Sequence, residues 1–218
     1  EVNINLGCPS GTVVSKGKGS GFLSSLEKLD AFLDEIYDSL ADTGLDISVK
    51  TRIGRYEPDE FYELLDIYNK YPRVQKDMYK NKPRMEFFDY AVKHSKNRLV
   101  YNGDICTVKD YENIINTYPD ISAVMLGRGL ISNPGLAGQI SDGKQLDKNT
   151  LREFYDALVD AYQAEIPDEK NVVFKIKENL FYLVNLFDDK DAYWKKIRKS
   201  DNLMELNSIA RRAIDDIY

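Results

Sequence analysis

Cys8 stands between a glycine and a proline in the opening stretch EVNINLGCPSGTVVSKGKGSGFL. A thiol in such a place can serve as an acid, as a nucleophile or as neither. Val2, Ile4 and Leu6 alternate toward it with the period of a strand, so Cys8 falls where a strand exits into a glycine-rich loop. Buried cysteine is usually a small inert hydrophobe. Reactivity needs an exposed and tuned thiol, and both readings stand on the residues alone. Lys50 is the second candidate. It follows Ile47 and Val49 at the end of a buried type of strand, where an ammonium must either snorkel to water or meet an electron-rich partner. Glycine-bearing turns come third. NLGCP, YNGDI and MLGRG close three apolar runs, and VKTRIG closes a fourth. Any one of these could be an ordinary turn. Gly103-Asp104 and Gly127-Arg128-Gly129, on consecutive strands, are spaced as a phosphate cradle would be, with Arg128 as the countercharge.

These residues need elements to position them. Up to about residue 140, short apolar runs alternate with helical patterns. ISVKT reads as a strand over 47–51. EPDEFYELLDIYNKY reads as a helix with Phe61, Leu64, Leu65 and Tyr68 on one face. RMEFFDYAVKHSKN is a helix, RLVYNGD a strand, TVKDYENIINTYPD a helix opened by a threonine cap, and ISAVMLGRG a strand. The alternation predicts an α/β fold with a parallel sheet. From about residue 141 the strand signal stops. TLREFYDALVDAYQAEI places Leu151, Phe154, Tyr155, Leu158, Val159 and Tyr162 on one stripe, and VVFKIKENLFYLVNLF and LMELNSIARRAIDDIY repeat the pattern. A small helical bundle is expected there. One unit of the alternation is interrupted: NKYP runs directly into RVQKDMYK, with no strand legible between two helical segments.

The chain has 218 residues, 43% hydrophobic and 30% charged, enough for a buried core and a soluble surface. No apolar run approaches a membrane span. Two cysteines are too few for a disulfide framework and fit a reduced, cytoplasmic setting. With one histidine, His94, a structural zinc site is not expected. The net charge of −6 argues against a general nucleic-acid binder. Basic residues nevertheless cluster at 16–18, 73–84 and 195–199, either as solvated faces or as local basic surface.

INLGCPSGTVVSKGKGSGFL, VKTRIG, YNGDI and VMLGRGLISNPGL, in that order, resemble the successive signatures of bacterial tRNA-dihydrouridine synthases, over residues 1 to about 136. The opening stretch is the most specific of them. The resemblance implies a (β/α)8 TIM barrel that binds FMN, of which only the later part is present (residues 1–140), followed by a C-terminal α-helical bundle that grips tRNA (residues 141–218). It implies reduction of specific uridines in tRNA to 5,6-dihydrouridine, with NADPH or NADH as reductant. Reduced FMN would deliver hydride to C6 of the uracil, and Cys8 would give the proton to C5. By the same resemblance Asn5 binds substrate, Lys50 contacts the flavin ring and Arg52 lies by the substrate or flavin. Asn102, Gly103, Asp104, Gly127 and Arg128 would hold the FMN phosphate and ribityl chain. Lys16 and Lys18 would meet RNA phosphates, and Arg73 would be the arginine of a further motif. The target base would have to be flipped out of the folded tRNA.

Two departures from the family pattern stand out. First, Tyr71 precedes Pro72-Arg73 where the family has a flavin-contacting histidine, and the sixth barrel strand is not legible; second, the family's first three strands are not found. Four strands can be found, matching the family's fourth, fifth, seventh and eighth, so a strand's worth of residues is expected to be absent and the chain to be a fragment of a longer protein. It is expected to act as a monomer, with no metal and no membrane partner. Competing readings are an FMN barrel acting on a free pyrimidine, like dihydroorotate dehydrogenase, a non-catalytic tRNA-binding protein on a degenerate barrel, and a phosphate-binding barrel without flavin.

Overall fold

The computed structural model describes residues 1–71, 84–217 and, as backbone path, 75–78. Five strands form one parallel sheet whose spatial order is the chain order: β1 (Val2–Asn5), β2 (Ile47–Thr51), β3 (Gln75–Met78), β4 (Leu99–Tyr101) and β5 (Ala123–Val124). Asn5 pairs in register with Lys50, Lys50 with Asp77, and Asp77 with Val100. The helices, in chain order, are α1 (Gly11–Val14), α2 (Leu26–Leu40), α3 (Glu60–Tyr68), α4 (Met85–His94), α5 (Val108–Thr117), α6 (Arg128–Ser132), α7 (Leu136–Asp142), α8 (Lys148–Glu165), α9 (Glu169–Leu183), α10 (Lys190–Lys199) and α11 (Leu203–Asp215). The chain divides into two compact units, Glu1–Asp104 with Ile114–Met125, and Ile105–Asn113 with Leu126–Tyr218.

In the first unit the period-2 alternation gives the sheet two chemically different faces. Leu6 and Val49 pack with Leu29 and Leu33 of α2 and with Leu64, Ile67 and Tyr68 of α3. Leu29, Leu33, Leu64 and Val49 are completely buried, each contributing roughly 1.5–3 kcal/mol of transfer free energy. Thr51 belongs to this helix-covered face. Its hydroxyl meets the Tyr68 hydroxyl at 2.8 Å, a buried polar pair that satisfies itself. The alternate residues carry amides and an amine: Asn3 Nδ2 donates to Ser48 Oγ at 2.8 Å, and Asn5 and Lys50 follow in register.

That second face is concave. Lys50 Nζ reaches Met125 Sδ, just past β5, at 3.2 Å. In a flat sheet β2 and β5 would lie about 14 Å apart, beyond the span of a lysine and a methionine standing off their strands. The sheet therefore curls around the polar face.

The expected strands at ISVKT, RLVYNGD and ISAVMLGRG are present, as are the helices between them. The Phe61, Leu64, Leu65 and Tyr68 stripe is buried as its spacing predicts. Thr107 caps α5: its hydroxyl accepts the Asp110 N–H at 3.1 Å, while Asp110 Oδ2 accepts the Thr107 N–H at 2.9 Å.

The interruption expected between the third and fourth helices is corrected by the structure. A strand does run there, β3, paired in parallel with β2 on one side and β4 on the other. Gln-Lys-Asp-Met has no apolar alternation, so no periodicity announces it. Its pairing comes from the two neighbouring strands rather than from local preference. The sheet has five strands where four were legible.

In the second unit α8, α9, α10 and α11 enclose a core that includes Leu151, Tyr155, Val159, Ile176, Leu180, Ile197 and Leu206. Of the α8 stripe read from sequence, Leu151, Tyr155 and Val159 are buried and Leu158 and Tyr162 partly so, but Phe154 remains 38% exposed at its edge. Asp147 caps α8, accepting the Asn149 and Thr150 N–H groups and the Thr150 hydroxyl. Those bonds hold its carboxyl below the usual carboxylate range. Residue 141 falls within α7. No helix among the described residues is long and apolar enough to cross a membrane.

Candidate active site at the carboxyl ends of the strands

β1 ends in a turn made by its own last residue. Asn5 Oδ1 accepts the N–H of Gly7 and the N–H of Cys8, each at 3.1 Å. An asparagine side chain that bonds the backbone two and three residues on substitutes for a backbone turn, which is why the strand breaks at NLGC. The carbonyl oxygen of Asn5 is thereby committed to holding Cys8, and its NH2 is the group the turn does not use. Cys8 is half-buried and free of any disulfide.

The loop after Cys8 folds back onto it. Cys8 O accepts the Ser20 N–H at 2.9 Å. Gly19 sits at φ +55°, and a Cβ there would lie 2.7 Å from Cys8 O and 3.0 Å from Cys8 Cβ. Only glycine permits both the left-handed backbone and this approach. Lys16 and Lys18 are exposed on the same loop.

β2 supplies the cations. Lys50 lies beside Asn5 in register on the polar face and is half-buried, touching Met125 Sδ. Arg52 follows one residue past the strand. Its Nε is fully buried with no hydrogen-bond partner among the described residues. An unpaired buried donor costs about 1–3 kcal/mol, so this atom calls for an acceptor that the described residues do not provide.

β4 ends at Tyr101, and the turn that follows carries Asn102, Gly103 and Asp104. Asn102 is buried and its Nδ2 donates to Met125 O at 3.3 Å. Gly103 packs over Tyr101: a Cβ would meet Tyr101 Oη at 2.1 Å. The ring cannot yield, being buried against Phe88 at 5.0 Å between centroids. Asp104 is exposed.

Asn5, Cys8, Lys50, Arg52, Asn102, Gly103 and Asp104 thus all lie at the carboxyl ends of β1, β2 and β4 in the first unit, where parallel α/β sheets bind ligands. Gly127 precedes α6 and Arg128 opens it, both in the second unit. Arg73 lies outside the described residues. Tyr71 is a structural residue: it is buried, and its hydroxyl donates to the Asp30 side chain at 2.7 Å. His94 ends α4, exposed and stacked on Tyr90 at 4.1 Å.

Three participants escaped the sequence reading. Met125, 75 residues from Lys50, could be found only through the curl of the sheet. Arg55 crosses to the Cys8 loop, its Nη1 donating to Gly21 O at 2.8 Å. Glu60 gathers the N–H groups of Arg55, Tyr56 and Glu57 on its carboxylate. Of these, only Glu60 left a signal, an acidic residue in the first turn of a helix behind a polar loop.

The chain is similar to proteins of known family. A family model described as dihydrouridine synthase matches residues 1–214. A probable tRNA-dihydrouridine synthase of Staphylococcus aureus (strain MRSA252) is 33% identical over 171 residues, which cover 72% of this chain and 49% of that protein. A probable tRNA-dihydrouridine synthase of Staphylococcus epidermidis (strain ATCC 12228 / FDA PCI 1200) is 34% identical over 147 residues, 61% of this chain and 43% of that protein. The probable tRNA-dihydrouridine synthase 2 of Bacillus subtilis (strain 168) is 31% identical over 147 residues, with the same coverage. The chain spans about half the length of the curated relatives it matches.

Proposed function

The chain belongs to the dihydrouridine synthase family, and from that premise we propose that the protein reduces uridine in tRNA to 5,6-dihydrouridine with FMN and NADPH or NADH. The observation that carries this reading is the pairing of Asn5 with Lys50, which puts the displayed Cys8 turn beside a half-buried lysine at the same strand ends.

The residues present fit a flavin. Arg52 Nε is a buried donor with no partner among the described residues, and Lys50 and Asn102 face the same concave side of the sheet. An electron-rich ring with carbonyl oxygens is the acceptor such a donor set suits. Lys50 and Arg52 hold the ring, and Asn102, Gly103 and Asp104 its ribityl chain. Gly127 and Arg128 are assigned to the phosphate on the family resemblance. Bound and reduced, FMN supplies the hydride that reaches C6 of the uracil.

The chain's own groups do the rest. Asn5 presents its NH2 to the uracil edge and fixes the Cys8 turn with its oxygen. Cys8 gives its proton to C5, which requires that the thiol stay protonated until transfer. Gly19 keeps the loop close enough to hold that turn in one geometry. Lys16 and Lys18 meet phosphates of the tRNA, and the uridine enters flipped out of its stack. The curled sheet is read as a sector of the family's (β/α)8 barrel, and residues 141–218 as a helical tRNA-binding domain.

Cys8→Ala in the full-length protein tests the assignment. With NADPH and tRNA it is expected to lower dihydrouridine formation by about 100-fold or more, the scale of a general acid, while FMN stays bound. Protein that remains colourless after FMN addition, or a Cys8→Ala variant with unchanged turnover, overturns the proposal.

A further inference from the structure

The loop after β2 carries an aromatic ring that the proposed chemistry does not use. Tyr56 is 70% exposed, the most exposed of the large aromatic side chains described. Many surface tyrosines are loose. This one sits on a fixed backbone and has a cation over its ring. Its N–H donates to Glu60 Oε1 at 3.1 Å, and the N–H groups on either side, of Arg55 and Glu57, donate to the same carboxylate at 2.6 and 3.0 Å. The Arg55 guanidinium lies over the ring, 4.9 Å from its centroid. The same guanidinium is anchored to Gly21 O at 2.8 Å. Gly21 directly follows Ser20, whose N–H is bonded to Cys8 O. The Arg55 guanidinium and its bond to the Cys8 loop therefore link the ring to the Cys8 turn.

We propose that Tyr56 is a stacking platform for a nucleobase of the RNA substrate, one that neighbours the uridine held at Cys8. The proposal rests on the tRNA reading above. Flipping a base out of its stack leaves the faces of its neighbours without partners. An aromatic ring on a loop clamped to the Cys8 loop can take one such face, and stacking does not depend on which base it is. Phosphate binding does not explain the ring: Glu57 and Asp59, both exposed, flank it with negative charge. Lys16 and Lys18, exposed on the loop that Arg55 clamps, offer positive charge to the RNA backbone instead.

The test uses full-length protein and a tRNA transcript with 2-aminopurine at the position next to the target uridine. Tyr56→Ala and Tyr56→Leu are expected to raise KM for tRNA about 5- to 150-fold, the range of one lost base–aromatic stack, with kcat less affected. Tyr56→Trp is expected to keep KM near that of the unaltered protein. The 2-aminopurine fluorescence is expected to be quenched on binding to the unaltered protein and to Tyr56→Trp, but not to Tyr56→Ala or Tyr56→Leu. FMN content should be the same in all four. Unchanged KM and quenching in Tyr56→Ala overturns the proposal, and so does equal loss in Tyr56→Ala and Tyr56→Trp, which assigns the residue a structural role. If the unaltered protein forms no dihydrouridine in any tRNA, the functional reading falls, and the quenching comparison alone then decides whether Tyr56 stacks a base.

Discussion

Two small residues hold the site together. Gly19 lets the loop touch Cys8, and Gly103 lets the turn after β4 lie on Tyr101. Both act through atoms they lack. Gly103→Ala would force a methyl group into Tyr101 Oη, and the ring, packed against Phe88, has nowhere to go. The expected result is a loss of about 1–3 kcal/mol by overpacking, read as a lower melting temperature, together with weaker FMN retention. The glycines were legible in the sequence as turns, and Cys8 and Lys50 as anomalies at strand ends. What each of them touches was not. Tyr101 beneath Gly103 is two residues away in sequence and could have been guessed, whereas Arg55 on Gly21 and Met125 at Lys50 join residues that only the folded sheet brings near.

Elements with an apolar period were read correctly, because burial of one face creates that period. The α3 stripe and the buried part of the α8 stripe are examples. β3 was missed for the converse reason: its four residues carry no such period, and pairing on both edges places them. Packing of α2 against α3 has a pH signature. Burial, with Asp46 adding to it, pushes the Tyr37 phenol up to about 12. Burial and the bond to Asp30 push Tyr71 up as well, and its ring lies 5.1 Å from that of Tyr37. A phenol whose folded value is raised favours the folded state fully below its ordinary value near 10, and that contribution disappears as pH climbs through the raised value. Melting temperature is therefore expected to fall between about pH 10 and 12, and the tyrosinate signal lost in Tyr37→Phe and Tyr71→Phe variants to be the part that appears in step with unfolding. Asp30 works at the other end. Lys70 and Tyr71 hold its carboxyl below 3.8, so its contribution is complete above that value and is lost as pH drops through the lowered one.

At the scale of the whole molecule, the proposed function asks an acidic protein to hold an anionic polymer. The net charge of −6 makes binding depend on local basic surface, for which the exposed Lys16 and Lys18 and the exposed Lys195, Lys196, Arg198 and Lys199 of α10 are candidates. Affinity of the full-length protein for tRNA should fall steeply with salt, and the double variant Lys16→Ala, Lys18→Ala should flatten the log–log slope by about 2, one per phosphate contact. A salt-independent complex would remove both patches from the interface. The arrangement of the sheet has a different consequence, for how the chain is made. Because spatial order repeats chain order, each strand leaving the ribosome finds its partner already in place and adds to a single growing edge. Among the described strands none has to wait for, or be threaded between, strands synthesised later, so these five can pair in step with translation.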